Sequence, residues 1–189
     1  MAQQHDATAF WAELSACEHF VQVYESDNVF LATLANFICG GLERGDAAIV
    51  IATEAHREAL EARLVASGID VDTCIDEDRY IALDAEQTLG RFMVNGWPDE
   101  DLFVSVIQGI LRQARGSEAR DVIAFGEMVA LLWARGYSEA TVRLEHLWQE
   151  ICEKKLFQLF CAYPKIGFTE DPAVSIARLC DLHSKVLAA

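Results

Sequence analysis

The 189 residues carry 30 acidic and 15 basic side chains, a formal net charge of −15, and 52% of them are hydrophobic. So acidic a surface repels nucleic-acid phosphates and anionic lipid, and no apolar run approaches the ~20 residues that span a bilayer. The length and apolar content fit one domain with a substantial core, covering residues 1–189.

The N-terminal MAQQHDATAF lacks the basic and apolar blocks of a signal peptide. The six cysteines are scattered without CxxC or Cys-His spacing. Together these features lead us to expect a soluble, cytoplasmic, reduced protein with no structural metal.

Ala7 to Ser15 is a short helix candidate ahead of the first strand, His19 to Tyr24. A polar turn, Glu25 to Asn28, opens a helix from Val29 to Leu42, which has Phe30, Leu34, Phe37 and Ile38 along one side and Gly40, Gly41 and Gly45 near its end. Ala47 to Ala52 is wholly apolar and forms a second, buried strand. His56 to Ser67 is an amphipathic helix stopped by Gly68. Tyr80 to Leu83 forms a third strand, and Glu86 to Met93 a helix. Trp97-Pro98-Asp99 breaks the chain before the next helix, Glu100 to Arg115. Val122 to Phe125 is a buried strand closing on Gly126, Glu127 and Met128. After a helix-like segment and Gly136, Tyr137 to Lys154 places Leu144, Leu147, Trp148 and Ile151 on one stripe. Leu156 to Ala162 is the fifth strand, and Asp171-Pro172 opens a last helix over residues 172–187. Five strands alternating with helices predict an α/β fold: a three-layer α/β/α domain with a mainly parallel sheet of five or slightly more strands.

In an open parallel sheet, ligands bind outside the carboxyl ends of the strands. Those ends are Tyr24-Glu25-Ser26, Thr53-Glu54, Asp84, Gly126-Glu127 and Tyr163-Pro164. Polar residues also follow buried strands simply because the chain returns to solvent. Glu127 stands out because it is embedded in apolar sequence, where a carboxylate needs a partner. An arginine ion pair and a ligand contact both meet that need.

No catalytic motif fills this layout. A phosphate loop needs glycines and a lysine, whereas Glu25-Ser26-Asp27-Asn28 is acidic and glycine-free, and the first 153 residues hold no lysine. There is no GxGxxG, GxSxG or HExxH pattern, so no cofactor and no enzymatic activity are expected. Glu145-His146 lies on a helix without a spaced second ligand and reads as a solvated edge. Trp133, Trp148, Phe157 and Phe160 read as core.

The ordered set His19-x4-Tyr24-Glu25, Ala52-Thr53 with His56, Phe125-Gly126-Glu127-Met128, Leu144-Glu145-x2-Trp148 and Cys161-Ala162-Tyr163-Pro164 resembles the MEDS domain. This sensory domain is named for methanogens, methylotrophs and the dichloromethane-responsive regulator. The resemblance spans about residues 17–168, with Phe20 and Val21 bulkier than expected after His19. It implies a RecA/KaiC-like core without its phosphate loop. It also implies a sensory role in bacterial regulation, directed at small hydrocarbon derivatives and exercised beside histidine kinases or transcription regulators.

The resulting expectation is a non-enzymatic domain that binds a small organic ligand at the carboxyl edge. Tyr24, Thr53, Glu54, Glu127 and Tyr163 would line the site, with His19 added by the resemblance alone. A ligand-free scaffold docking a histidine kinase or transcription regulator is the alternative. The last helix carries more apolar residues than one stripe needs. It is expected either to mediate a homodimer or partner contact or to be absorbed wholly into the monomer core.

Overall fold

A computed structural model describes residues 17–117, 119–169 and 171–187. The helix expected at Ala7 to Ser15 lies outside them. The strands are β1 (His19–Tyr24), β2 (Ala47–Ala52), β3 (Tyr80–Asp84), β4 (Met93–Val94), β5 (Trp97–Pro98), β6 (Val122–Gly126), β7 (Gln158–Pro164) and β8 (Lys185–Leu187). The helices, in chain order, are α1 (Asp27–Arg44), α2 (Glu54–Ala66), α3 (Val71–Asp76), α4 (Ala85–Gly90), α5 (Glu100–Arg115), α6 (Met128–Ala134), α7 (Ser138–Lys155) and α8 (Pro172–Cys180).

Six strands form one sheet in the order β3-β2-β6-β7-β1-β8, and every pairing in it is parallel. β2 and β6 are buried along their whole length, as strands covered on both faces must be. Side chains alternate between two cores. Phe20, Tyr24, Val50, Phe125 and Phe160 pack beneath α1 and α2. Val21, Ile49, Ala124, Cys161 and Tyr163 meet α5, α6 and α7 on the other face. The first core is a cluster of aromatic rings, with Phe20 stacked on Phe160 at 5.0 Å and set edge-on to Phe37 at 5.2 Å. In the second, the Trp148 ring of α7 meets Phe103 of α5 perpendicularly at 5.1 Å. α1 lies so close to β6 that a Cβ on Gly41 would overlap the Ile123 side chain.

The structure corrects the sequence reading at the C-terminus. The helix expected over residues 172–187 ends at Cys180, and Lys185–Leu187 becomes a sixth strand pairing with Phe20–Gln22. The reason is the open edge of β1, whose amides and carbonyls need partners. Ser184 begins the capture: its N–H and its hydroxyl both donate to the His19 carbonyl, at 2.8 and 2.7 Å.

Smaller shifts also have local causes. Leu156 adopts a left-handed conformation that ends α7, so β7 starts at Gln158 rather than Leu156. Residues 93 and 94 pair with Trp97-Pro98 in a small hairpin instead of extending the helix before them. Asp99 then caps α5, accepting from the Leu102 N–H at 2.9 Å. The short helix α3 was not anticipated; Asp70 caps it through the Thr73 N–H at 3.1 Å. Trp148, Phe157 and Phe160 are core as expected, whereas Trp133 is half-buried and donates to the Gly167 carbonyl at 3.1 Å.

Candidate functional site

The parallel sheet sets the ends of β2, β6 and β1 along one edge, with β2 paired to β6 and β1 two positions beyond β6, across β7. Glu127 leaves the end of β6 with its own N–H donating to the Ile51 carbonyl at 2.9 Å. That bond extends the ladder and aims the side chain at the start of α2. One carboxylate oxygen accepts from the Thr53 N–H at 2.8 Å, and the other pairs with His56 Nδ1 at 2.8 Å. The partner that Glu127 requires is therefore a histidine one turn into α2 rather than an arginine.

Aromatic rings wall this corner. Tyr24 stacks on Phe30 at 4.6 Å, and Phe30 meets the His56 ring edge-on at 5.2 Å. The Glu127 hydrogen bond raises the affinity of His56 for its proton above the ordinary histidine value. Partial burial opposes this shift, while the charges of Glu127 and Asp27 assist it. Burial pushes the Tyr24 phenol well up, with Glu127 and Asp27 adding to the effect, so Tyr24 is a hydroxyl and not a phenolate at neutral pH. The corner thus brings together a carboxylate, an imidazole that protonates readily, a phenol and two stacked rings that are buried in the free chain.

The six residues expected to line one site do not all meet. Tyr24, Thr53 and Glu127 do, and His56 joins them. Glu54 is exposed in the first turn of α2. Tyr163 lies at the end of β7, but its side chain belongs to the opposite core. His19 opens β1 at the far end from Tyr24 and shares that opposite face, since residues 19, 21 and 163 follow the alternation of their strands.

There His19 and Tyr163 converge on Glu145, which is 1% exposed. This corrects the solvated edge read from the sequence for Glu145, whereas His146 is exposed as expected. Thr141, Glu145, Trp148 and Cys152 share one buried face of α7, so Glu145 flanks the apolar stripe and points into the core. The Tyr163 hydroxyl donates to one Glu145 oxygen. The other oxygen lies 3.3 Å from His19 Nε2, 3.5 Å from His183 Nε2 and 3.7 Å from Cys161 Sγ. Burial alone would raise the Glu145 carboxyl, but His183 and His19 hold it well below the usual carboxylate range. Burial and the Glu145 charge drive the Cys161 thiol and the Tyr163 phenol far upward. His183, which burial would lower, is raised by Glu145. Among the described residues, His19, Glu145, Cys161 and His183 place one donor atom each within 4.8 Å of one another.

Sequence reasoning named His56 within the family resemblance but left it out of the site, because nothing local marks it as Glu127's partner. Glu145 was findable from its helical phase with Thr141 and Trp148. His183 was not, since it depends on how the tail folds back.

Comparison with known proteins adds two findings. A family model described as MEDS, the MEthanogen/methylotroph, DcmR Sensory domain, matches residues 18–184. The crystal structure of a KaiC-like protein from the hyperthermophilic archaeon Pyrococcus horikoshii OT3 is similar, with a TM-score of 0.59 and 14% identity. The alignment covers 91% of this chain and 71% of that one, and establishes the fold alone. No curated protein matches the chain.

Proposed function

The chain belongs to the MEDS family of sensory domains, and from that premise we propose that it binds a small organic molecule at the Glu127 corner without transforming it. The observation that carries this reading is the Thr53–Glu127–His56 constellation, set at the carboxyl ends of the strands between the Tyr24 and Phe30 rings. Such a corner suits a compact ligand with an apolar body and one polar handle. The Tyr24 and Phe30 rings, buried in the free chain, would part to supply the contact area, and Glu127 or His56 would fix the orientation.

Binding without turnover fits the loop after β1. Where a nucleotide-hydrolysing relative of this fold would need glycines and a lysine, Glu25 and Ser26 lead straight into Asp27 of α1. The ligand signal would pass to a histidine kinase or transcription regulator. A cytoplasmic setting is part of the proposal, supported by six cysteines that all stay unpaired.

A thermal-shift screen of small alcohols, amines and halocarbons tests the reading. At least one compound raises the melting temperature of the wild-type chain, and the shift is lost in Glu127→Gln and reduced in Tyr24→Phe. If no compound shifts the wild type, or if both variants respond as it does, the ligand reading fails. A scaffold that docks its partner through exposed faces then takes its place.

A further inference from the structure

We propose that His19, Glu145, Cys161 and His183 form a closed, four-coordinate site for a divalent first-row transition-metal ion, with Zn2+ the best match. The site is independent of the Glu127 corner and lies on the other face of the sheet. Its ligands come from β1, α7, β7 and the segment between α8 and β8.

The distances favour coordination over hydrogen bonding. A charge-assisted hydrogen bond from an imidazole to the carboxylate would measure about 2.7–2.9 Å, while the sulfur contacts have a length common to hydrogen bonding and coordination. The contacts are instead 3.3 Å for His19 Nε2 to both Glu145 Oε2 and Cys161 Sγ, 3.5 Å for His183 Nε2 to Glu145, and 3.7 Å for Cys161 to Glu145. Metal–ligand bonds of roughly 2.0–2.3 Å arranged tetrahedrally give edges of about 3.3–3.7 Å. Four of the six donor pairs thus have the spacing of tetrahedral edges, and all four donors lie within 4.8 Å of one another, so small side-chain adjustments close them around a common centre.

The surrounding groups orient the ligands for the same task. His19 Nδ1 lies 3.1 Å from the Gln149 side-chain oxygen, and His183 Nδ1 lies 2.7 Å from the Leu179 carbonyl. Both partners are acceptors, so each ring carries a proton on Nδ1, and Nε2, which faces the cluster, is the nitrogen left to give its lone pair to an ion in exchange for any proton it holds. The His183 side chain is 0% exposed, and its Nε2 is a buried atom without a hydrogen-bond partner. An unpaired buried nitrogen of this kind is costly unless something occupies the space before it. The oxygen of Glu145 not aimed at the cluster is held by the Tyr163 hydroxyl. Each of these three ligands therefore has an outer partner.

The donor set also selects the ion. Two imidazoles, a thiolate and a carboxylate suit Zn2+ and its neighbours, whereas Mg2+ and Ca2+ demand more oxygen ligands. A thiolate and a carboxylate neutralise a dication, so the loaded site carries no net charge into the core. With all four positions taken by protein, the ion would tie the C-terminal segment to β1, β7 and α7.

The test uses the full chain purified without chelator, with metal content measured by mass spectrometry. About one Zn2+ per chain is expected. In chelator-stripped protein, Co2+ should give the visible absorption of a tetrahedral site together with a near-ultraviolet thiolate-to-cobalt band. Saturating Zn2+ should raise the melting temperature by about 5–10 °C at a hundredfold excess over its dissociation constant. Cys161→Ser should lose the thiolate band. Gln149→Ala, which alters a half-buried outer partner and spares every ligand, should weaken the ion roughly 10–100-fold. A metal-free chain that gives no Co2+ spectrum and no Zn2+ shift overturns the proposal. So does binding that neither Cys161→Ser nor Gln149→Ala alters, which would place the ion on the acidic surface. If Cys161→Ser fails to fold, the Gln149→Ala measurement decides.

Discussion

Glu127→Gln isolates the electrostatics of the candidate site. The amide oxygen can still accept from the Thr53 N–H, so packing and one hydrogen bond survive, but the carboxylate facing His56 Nδ1 at 2.8 Å is gone. Both side chains are largely buried, at 16% and 10% exposed, so solvent screens the pair only in part. A hydrogen bond to a charged group contributes about 1.5–3 kcal/mol, against about 0.5–1.5 kcal/mol for a neutral one.

The sign of the pH dependence follows from His56, whose proton affinity in the folded chain is raised above the ordinary value of 6.5. A raised folded value contributes stability that is fully present below the unfolded value and disappears as pH climbs through the folded one. The stability difference between wild type and Glu127→Gln should therefore be about 1.5–3 kcal/mol at about pH 5.5. It should shrink to the neutral-bond range by about pH 9. Contributions from the Glu145 cluster are common to both proteins and cancel in the difference. Urea titrations at several pH values, read as midpoints at constant slope, measure it. A difference that is flat with pH, or that grows as pH rises, refutes the reasoning.

Gly41→Ala should cost about 1–3 kcal/mol, since the new methyl group must displace Ile123 of β6; chemical denaturation checks this. A chain ending at Asp171 loses β8, the buried Leu179 and His183, and should show no cooperative thermal transition. Equilibrium dialysis against ATP should detect no binding, because the turn after β1 has no glycine to wrap phosphates, and the cation beside it, Lys165, is paired with Glu25 while Asp27 stays negative. Light scattering of the intact chain should give a dimer mass, through the exposed apolar side chains Ile166, Val174 and Val186. A monomer at high concentration would remove self-association from the account.

The sheet was legible because β2 and β6 are unbroken apolar runs, and burial on two faces leaves such runs few alternatives. Tyr24, Thr53 and Glu127 were legible as a group because strand ends converge in a parallel sheet. Tyr163 was misplaced because its position along β7 was read correctly while the face of its side chain was not. Adjacent strands share an end, but alternation sends Tyr24 and Tyr163 to opposite cores. β8 stayed hidden because three residues carry no periodic signal of their own; the open edge of β1 determines their state. The same tail carries His183, so the cluster around Glu145 could not be assembled from sequence spacing.

The most direct test of the sensory reading is an amide-resolved titration of the isotopically labelled chain with whichever screened compound shifts its melting temperature most. The account predicts that the backbone signals of Thr53, His56 and Glu127 move together and saturate, and that Glu127→Gln abolishes the movement. Saturating shifts confined to another surface, with these three signals unmoved, would contradict it.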